Sequence, residues 1–193
     1  GTGRRNCGWA VAELSRSLPA MTAADGYDIS PVAIARAKML ESDRLCFHCA
    51  DFLSGDHKYD LVLLIDVVEH VEDYIGFLRS IRNRAKHIIV HLPLEMHALA
   101  VLRDSFGSAR EKLGHLHYFT LSTGLASVKD AGYHVRDYTL TRGTLELGSA
   151  RKGLRTDVAN GLRRILELFS TEAAARVLGG YSVLLLAEPA GVE

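Results

Sequence analysis

The run Tyr59-Asp-Leu-Val-Leu-Leu-Ile-Asp66-Val-Val-Glu69-His70-Val-Glu-Asp73 narrows most sharply what this chain can become. Its apolar stretch, Leu61 to Ile65, is short and bounded by Asp60 and Asp66, which predicts a strand buried on both faces. A helix-like segment with Glu69 and His70 follows at once. In open parallel sheets ligands bind beyond the carboxyl ends of the strands. A strand ending in Asp66-Val-Val-Glu-His is therefore where chemistry is expected.

The rest of the chain repeats the alternation. Trp9 to Leu18 predicts a helix stopped by Pro19. Gly26 to Ser30 predicts a strand end, with Ser30-Pro31 capping a helix through Val32, Ile34, Ala35 and Met39. Further strands are predicted over Leu45–Ala50 and His87–His91, and a helix over the segment with Tyr74, Phe77, Leu78 and Ile81. Leu121 to Ala131 predicts a helix closed by Gly132. Tyr133 to Thr141 and Tyr181 to Ala187 are predicted as an antiparallel pair at one sheet edge, separated by a helical insertion around 150–178. Strands alternating with helices mean a mainly parallel sheet covered on both faces. With 193 residues and no Pro/Gly/Ser linker, a single domain over 1–193 is expected.

Composition excludes some classes. The 23 basic and 23 acidic residues cancel, which argues against a nucleic-acid binder with a broad basic face. No apolar stretch approaches the roughly 20 residues that span a bilayer, so no membrane association is expected. The 3 cysteines make no even disulfide framework and favour a reducing, cytoplasmic setting.

Asp28, Asp51 and Asp66 each fall at a predicted strand end, on one edge of the expected sheet. A carboxylate at the position of Asp28 suits the hydroxyls of a ribose. Asp51 suits an exocyclic amine of a base, with Phe52 beside the ring. Any one of them alone reads equally well as a turn or cap residue.

The segments GYDIS (26–30), ADFLS (50–54) and YDLVLLIDVVEHVED (59–73) resemble, in order and spacing, the class I S-adenosylmethionine-dependent methyltransferases. HIIVHLPLE (87–95), GHLHYFT (114–120) and AGYHV (131–135) extend the resemblance. It implies a doubly wound, mainly parallel, seven-stranded Rossmann-like α/β sheet with an antiparallel edge strand. It implies that Asp28 and Ile29 hold the ribose, Asp51 and Phe52 face the adenine, and Asp66 and Val67 line the methionine portion. The family's glycine-rich loop follows its first strand. Here Gly1-Thr-Gly3-Arg-Arg-Asn-Cys-Gly8 opens the chain with no apolar strand ahead of it. Gly1, Gly3 and Gly8 are the candidates for that loop, its register stays open, and so does the presence of the first strand.

Methyl transfer from a sulfonium needs an aligned nucleophile and, for a hydroxyl or amine, a base of near-neutral pKa. His70 and His117 are the preferred catalytic pair; His91 and His115 are weaker candidates. Each also reads as a packing or loop residue. Cys46-Phe-His-Cys49 has CxxC spacing, but a strand sends its two thiols to opposite faces, and four zinc ligands are lacking. Glu69 beside His70 is too small a set to assign a metal, and none is assigned. The 154–178 segment, with Arg151, Lys152, Arg155, Arg163 and Arg164, is a possible pocket cap or homodimer contact. The simpler expectation is an amphipathic helix with Leu162, Ile165, Leu166 and Phe169 on the core side.

The sequence thus points to S-adenosylmethionine-dependent methylation of a small molecule, leaving S-adenosylhomocysteine. The alternatives are a dinucleotide-dependent oxidoreductase, for which a G-x-G-x-x-G motif is lacking, and a non-catalytic subunit keeping the same fold.

Overall fold

The computed structural model describes Ser17, residues 22–142, Gly161 and residues 164–191. Gly1, Gly3, Gly8, nearly all of the helix expected over Trp9–Leu18, and Arg151, Lys152, Arg155, Leu162 and Arg163 lie outside the described residues. The chain divides into two compact units, Gly1–His57 and Lys58–Glu193.

In the first unit β1 (Ala24–Asp28) and β2 (Leu45–Cys49) pair in parallel, from Ala24 opposite Leu45 to Asp28 opposite Cys49. Between them runs α1 (Pro31–Ala37), extended by a 3-10 turn over Lys38–Leu40. Ser30 caps α1 as its sequence predicts, accepting from the Ala33 amide at 3.3 Å, with Pro31 in the first turn. Ile34, Ala37, Leu45 and Phe47 form the core of this unit. Gly26 is required there: a Cβ would lie 2.4 Å from the Phe47 ring.

In the second unit β3 (Tyr59–Ile65) leads through a 3-10 turn (Val68–His70) into α2 (Tyr74–Ile81) and β4 (Ala85–Pro93). Then come α3 (Ala98–Leu102), α4 (Phe106–Leu113), α5 (Leu121–Asp130), β5 (Tyr133–Arg142), α6 (Thr171–Leu178) and β6 (Tyr181–Pro189). The sheet order is β3-β4-β6-β5, with β3 parallel to β4 and β6 antiparallel to both neighbours.

Six strands occur among the described residues, in sheets of two and four, which is compatible with the expected seven since the presence of the first was left open. Several expectations need correction. The antiparallel strand is β6, and it lies inside its sheet rather than at the edge. The reason is apolar content: Val183, Leu185 and Ala187 are fully buried and need a strand on each side. The largely exposed, polar β5 takes the edge, where unpaired backbone is tolerable. β3 is not buried on both faces. Val62 and Leu64 on one face are buried, but on the other Leu61 is 40% exposed and Leu63 and Ile65 are half-buried. Nor does one helix run to 178. A helical stretch at 164–167 ends in a turn, and Ser170 starts α6 anew by accepting from the Ala173 amide. Leu166 is half-buried, but that break leaves Ile165 and Phe169 exposed.

Candidate functional site

In the first unit both carboxylates at strand ends are engaged locally. Asp28 Oδ1 accepts from the Ser30 amide at 2.8 Å, and Asp51 Oδ1 accepts from the Leu53 amide at 2.8 Å to cap a 3-10 turn (Phe52–Ser54). Each turn leaves the second carboxylate oxygen outside that bond, which reconciles the turn and binding readings of these aspartates. Ile29, after Asp28, is 78% exposed. Beside β1 and β2 opens a pocket of ≈ 250 Å³, lined by Asp25, Tyr27, His48, Asp51 and His57 among others. Tyr27 stacks on His48, centroids 4.9 Å apart, and meets Phe52 edge-on at 5.4 Å. His48 Nε2 bonds Asp25 at 2.8 Å. Such aromatic walls with a carboxylate at the rim can hold a flat heterocycle bearing an amine. Cys46 and Cys49 are exposed on β2, and the group of potential metal ligands found among the described residues does not include them.

In the second unit the end of β3 is bent. Asp66 adopts φ 51°, a left-handed conformation that aspartate tolerates better than most residues. Its carboxylate accepts from His91 Nδ1 at 2.7 Å. Val67 is half-buried beside it. The next turn is tied to the loop before α5 by backbone: the Glu69 carbonyl accepts from the amides of Leu116 at 2.8 Å and His117 at 3.2 Å. Side chains close the same junction. His70 Nδ1 donates to the Gly114 carbonyl at 3.1 Å, and His117 Nε2 donates to the carbonyls of Val71 and Glu72 at 3.0 and 3.1 Å. Tyr118 steadies the loop by donating its hydroxyl to the Phe106 carbonyl at 2.8 Å. Gly114, at φ 76°, ends α4 and turns the chain into this loop, a conformation that favours glycine.

The junction gathers Glu69, His70 and His115. One ligand-type atom from each lies within 4.8 Å of the others. The rings of His70 and His115 meet nearly perpendicular at 4.9 Å. His115 is buried and donates Nδ1–H to Glu95, just beyond β4, at 2.7 Å. Glu69 is fully buried, and neither of its carboxylate oxygens has a hydrogen-bond partner. Burial holds its carboxyl above the ordinary range, and Asp66 pushes the same way. Its own backbone amide and the two imidazoles pull in the opposite direction. An ionised carboxylate placed so costs several kcal/mol unless something compensates its charge.

Of the predicted catalytic pair, the structure puts His115, not His117, against His70. His117 is half-buried, spends its Nε2 proton on backbone and packs on Tyr74 at 4.6 Å. Glu95 was not a candidate by sequence, and Glu69 entered only beside His70, as a set too small to assign a metal. The only local signal for the group was Glu69-His70 in one segment and His115-Leu-His117 in another.

A family model described as a methyltransferase domain matches residues 1–138. The fold resembles a methyltransferase solved in complex with the Trm112 methyltransferase activator of Haloferax volcanii, at TM-score 0.65 and 16% identity over 96% of this chain and 79% of that one. It also resembles an S-adenosylmethionine-dependent methyltransferase of Mesorhizobium loti, at TM-score 0.60 and 18% identity over 94% and 86%. The magnesium protoporphyrin IX methyltransferase of Synechocystis, solved with bound S-adenosylhomocysteine, aligns at TM-score 0.52 and 18% identity over 87% of this chain and 64% of that one. No curated protein matches the chain significantly.

Proposed function

The chain belongs to the class I S-adenosylmethionine-dependent methyltransferases, and from that membership we propose that it transfers a methyl group from S-adenosylmethionine to a small-molecule acceptor. The observation that carries the reading is the pair of carboxylates at successive parallel strand ends, Asp28 closing β1 and Asp51 just beyond β2, within the matched stretch. Asp28, with Ile29, receives the ribose hydroxyls. Asp51 and Phe52 receive the adenine. Asp66 and Val67 attend the methionine portion. Gly1, Gly3 and Gly8 remain the loop candidates, outside the described residues. The acceptor's nucleophilic atom bonds to the methyl carbon as the carbon–sulfur bond breaks. The electron pair stays on sulfur and S-adenosylhomocysteine leaves.

His70 is the proposed base on the acceptor side. Donation from Nδ1 to Gly114 leaves the lone pair of its neutral form on Nε2. His117 is a positioning residue that pins the loop. A small acceptor is favoured by the zero net charge. The exposed thiols of Cys46 and Cys49 fit a reducing, cytoplasmic setting. No helix among the described residues is long and apolar enough to cross a membrane. The family match spans the boundary at residue 57, which supports treating both units as one methyltransferase-like domain.

Thermal unfolding with S-adenosylhomocysteine, S-adenosylmethionine and NADH tests the proposal. Ligand at 100 times its Kd adds about 2.7 kcal/mol, which raises Tm by roughly 5–10 °C at this size. Asp28→Asn keeps the Oδ1 that accepts from Ser30 but loses the charge that faces a ribose. It should weaken S-adenosylhomocysteine at least tenfold, by about 1.4 kcal/mol, with little change in the Tm of the free protein. Stabilisation by NADH alone would sink the reading, and unchanged binding by Asp28→Asn would remove the ribose assignment.

A further inference from the structure

We propose that Glu69, His70 and His115 form a binding site for a divalent transition-metal cation of the zinc class, with Glu95 as the outer support of His115. The proposal lies wholly within the second unit and does not rest on methyl transfer; with an ion bound the Nε2 lone pair of His70 is on the metal, so the base role proposed above belongs to the metal-free protein.

Four observations converge. The ligand-type atoms of the three residues lie within 4.8 Å of one another. A tetrahedral ion with bonds near 2.0–2.1 Å needs its donors roughly 3.3 Å apart, so the three side chains must draw together to bind one. Two imidazoles on one such ion have centres roughly 5 Å apart, and those of His70 and His115 are 4.9 Å apart.

The second observation is tautomeric. A carbonyl and a carboxylate can only accept, so His70 donates Nδ1–H to Gly114 and His115 donates Nδ1–H to Glu95. Both neutral rings therefore carry their lone pair on Nε2. A histidine whose far nitrogen donates to a carbonyl or carboxylate is the usual arrangement of a metal ligand. Glu95 and the Gly114 carbonyl fill that supporting role for the two histidines.

Third, Glu69 is 0% accessible, and no other residue hydrogen-bonds either carboxylate oxygen; only its own backbone amide favours the charge. A cation beside it supplies the missing counter-charge. Fourth, the set is held from outside by the backbone bonds of Leu116 and His117 to the Glu69 carbonyl. These join the two ligand-bearing segments whether or not an ion is bound.

Two imidazoles with one carboxylate select borderline ions such as zinc over magnesium or calcium, which prefer all-oxygen sites. Three protein ligands leave at least one position open, where an oxygen or nitrogen of a small molecule can bind.

The full chain, stripped with a chelator, should be titrated with Zn²⁺ and separately with Mg²⁺ by calorimetry. The expected result is one Zn²⁺ per chain, with no comparable uptake of Mg²⁺. Glu69→Gln keeps the shape of the side chain and should weaken Zn²⁺ at least 100-fold. Glu95→Gln should weaken it 10- to 100-fold, as loss of an outer partner does. The double variant Cys46→Ser/Cys49→Ser should bind like the parent. The proposal is overturned if the parent takes up no Zn²⁺, if Mg²⁺ binds as tightly, if folded Glu69→Gln keeps the parent's affinity, or if the cysteine variant loses the site. Should a variant fail to fold, ¹⁵N signals of the histidine rings in the parent decide. Zn²⁺ must move the Nε2 signals of His70 and His115 and leave His48 and His57 in place; the reverse pattern rejects the site.

Discussion

Tyr133 opens β5 at 3% exposure, and its hydroxyl donates to the Leu78 carbonyl near the end of α2 at 2.9 Å. Burial pushes its phenol far above the ordinary range, with a small opposing pull from Arg82. Because the folded value is raised, the stabilisation is fully present below the unfolded pKa of about 10 and is lost as pH climbs toward the folded value. Tyr133→Phe should cost about 1 kcal/mol at neutral pH and should lose less stability than the parent above about pH 10. Urea unfolding of both proteins from neutral to alkaline pH checks this, and parallel losses would refute it. Single residues also mark where sequence reading stopped. Asp28, Asp51 and Asp66 were legible because each ends a strand, and a strand end is a local pattern. Glu69 was legible only as half of a Glu-His pair. Its burial is a tertiary property, and the backbone bonds that hold its segment reach Leu116 and His117, which nothing near residue 69 announces.

At the scale of elements, caps did most of the sorting. Ser30, Asp73, Thr120 and Ser170 each accept from an amide in the first turn of α1, α2, α5 and α6. Thr120 forms a reciprocal box with Thr123, whose hydroxyl accepts from the Thr120 amide at 3.0 Å. Thr120→Ala should cost about 1 kcal/mol, read as a fall of a few degrees in Tm. An unchanged Tm would mean the box contributes nothing to α5. The sequence assigned no element to 98–113, yet α3 and α4 lie there. Their patterns are too short and, in α4, too polar to raise a helical period above noise. Within the segment expected to be mostly helical, the described residues are helical at 164–167 and again in α6, with a break between them. Its apolar residues do recur at helical spacing, but Ser170 is a stronger start signal than the stretch before it is a continuous helix.

For the molecule as a whole, the decisive event is the return of β6, the last strand, between β4 and β5. Its Leu185 is fully buried and pairs with Val90 on one side and Tyr138 on the other. Leu185→Ala should cost about 2–5 kcal/mol and lower the Tm of the second unit; a loss below 1 kcal/mol would show that the site collapses around the gap. Unaided, the sequence determined the alternation of strands and helices, the Ser30 cap, the three carboxylates at strand ends and the family, because each is written within a few neighbouring residues. Only tertiary structure decided that β6 enters the sheet between β4 and β5, and that His115 rather than His117 faces His70. His70 and its partner Gly114 stand 44 residues apart. What brings them together is a set of backbone bonds between two loops, and backbone amides and carbonyls are the same in every sequence.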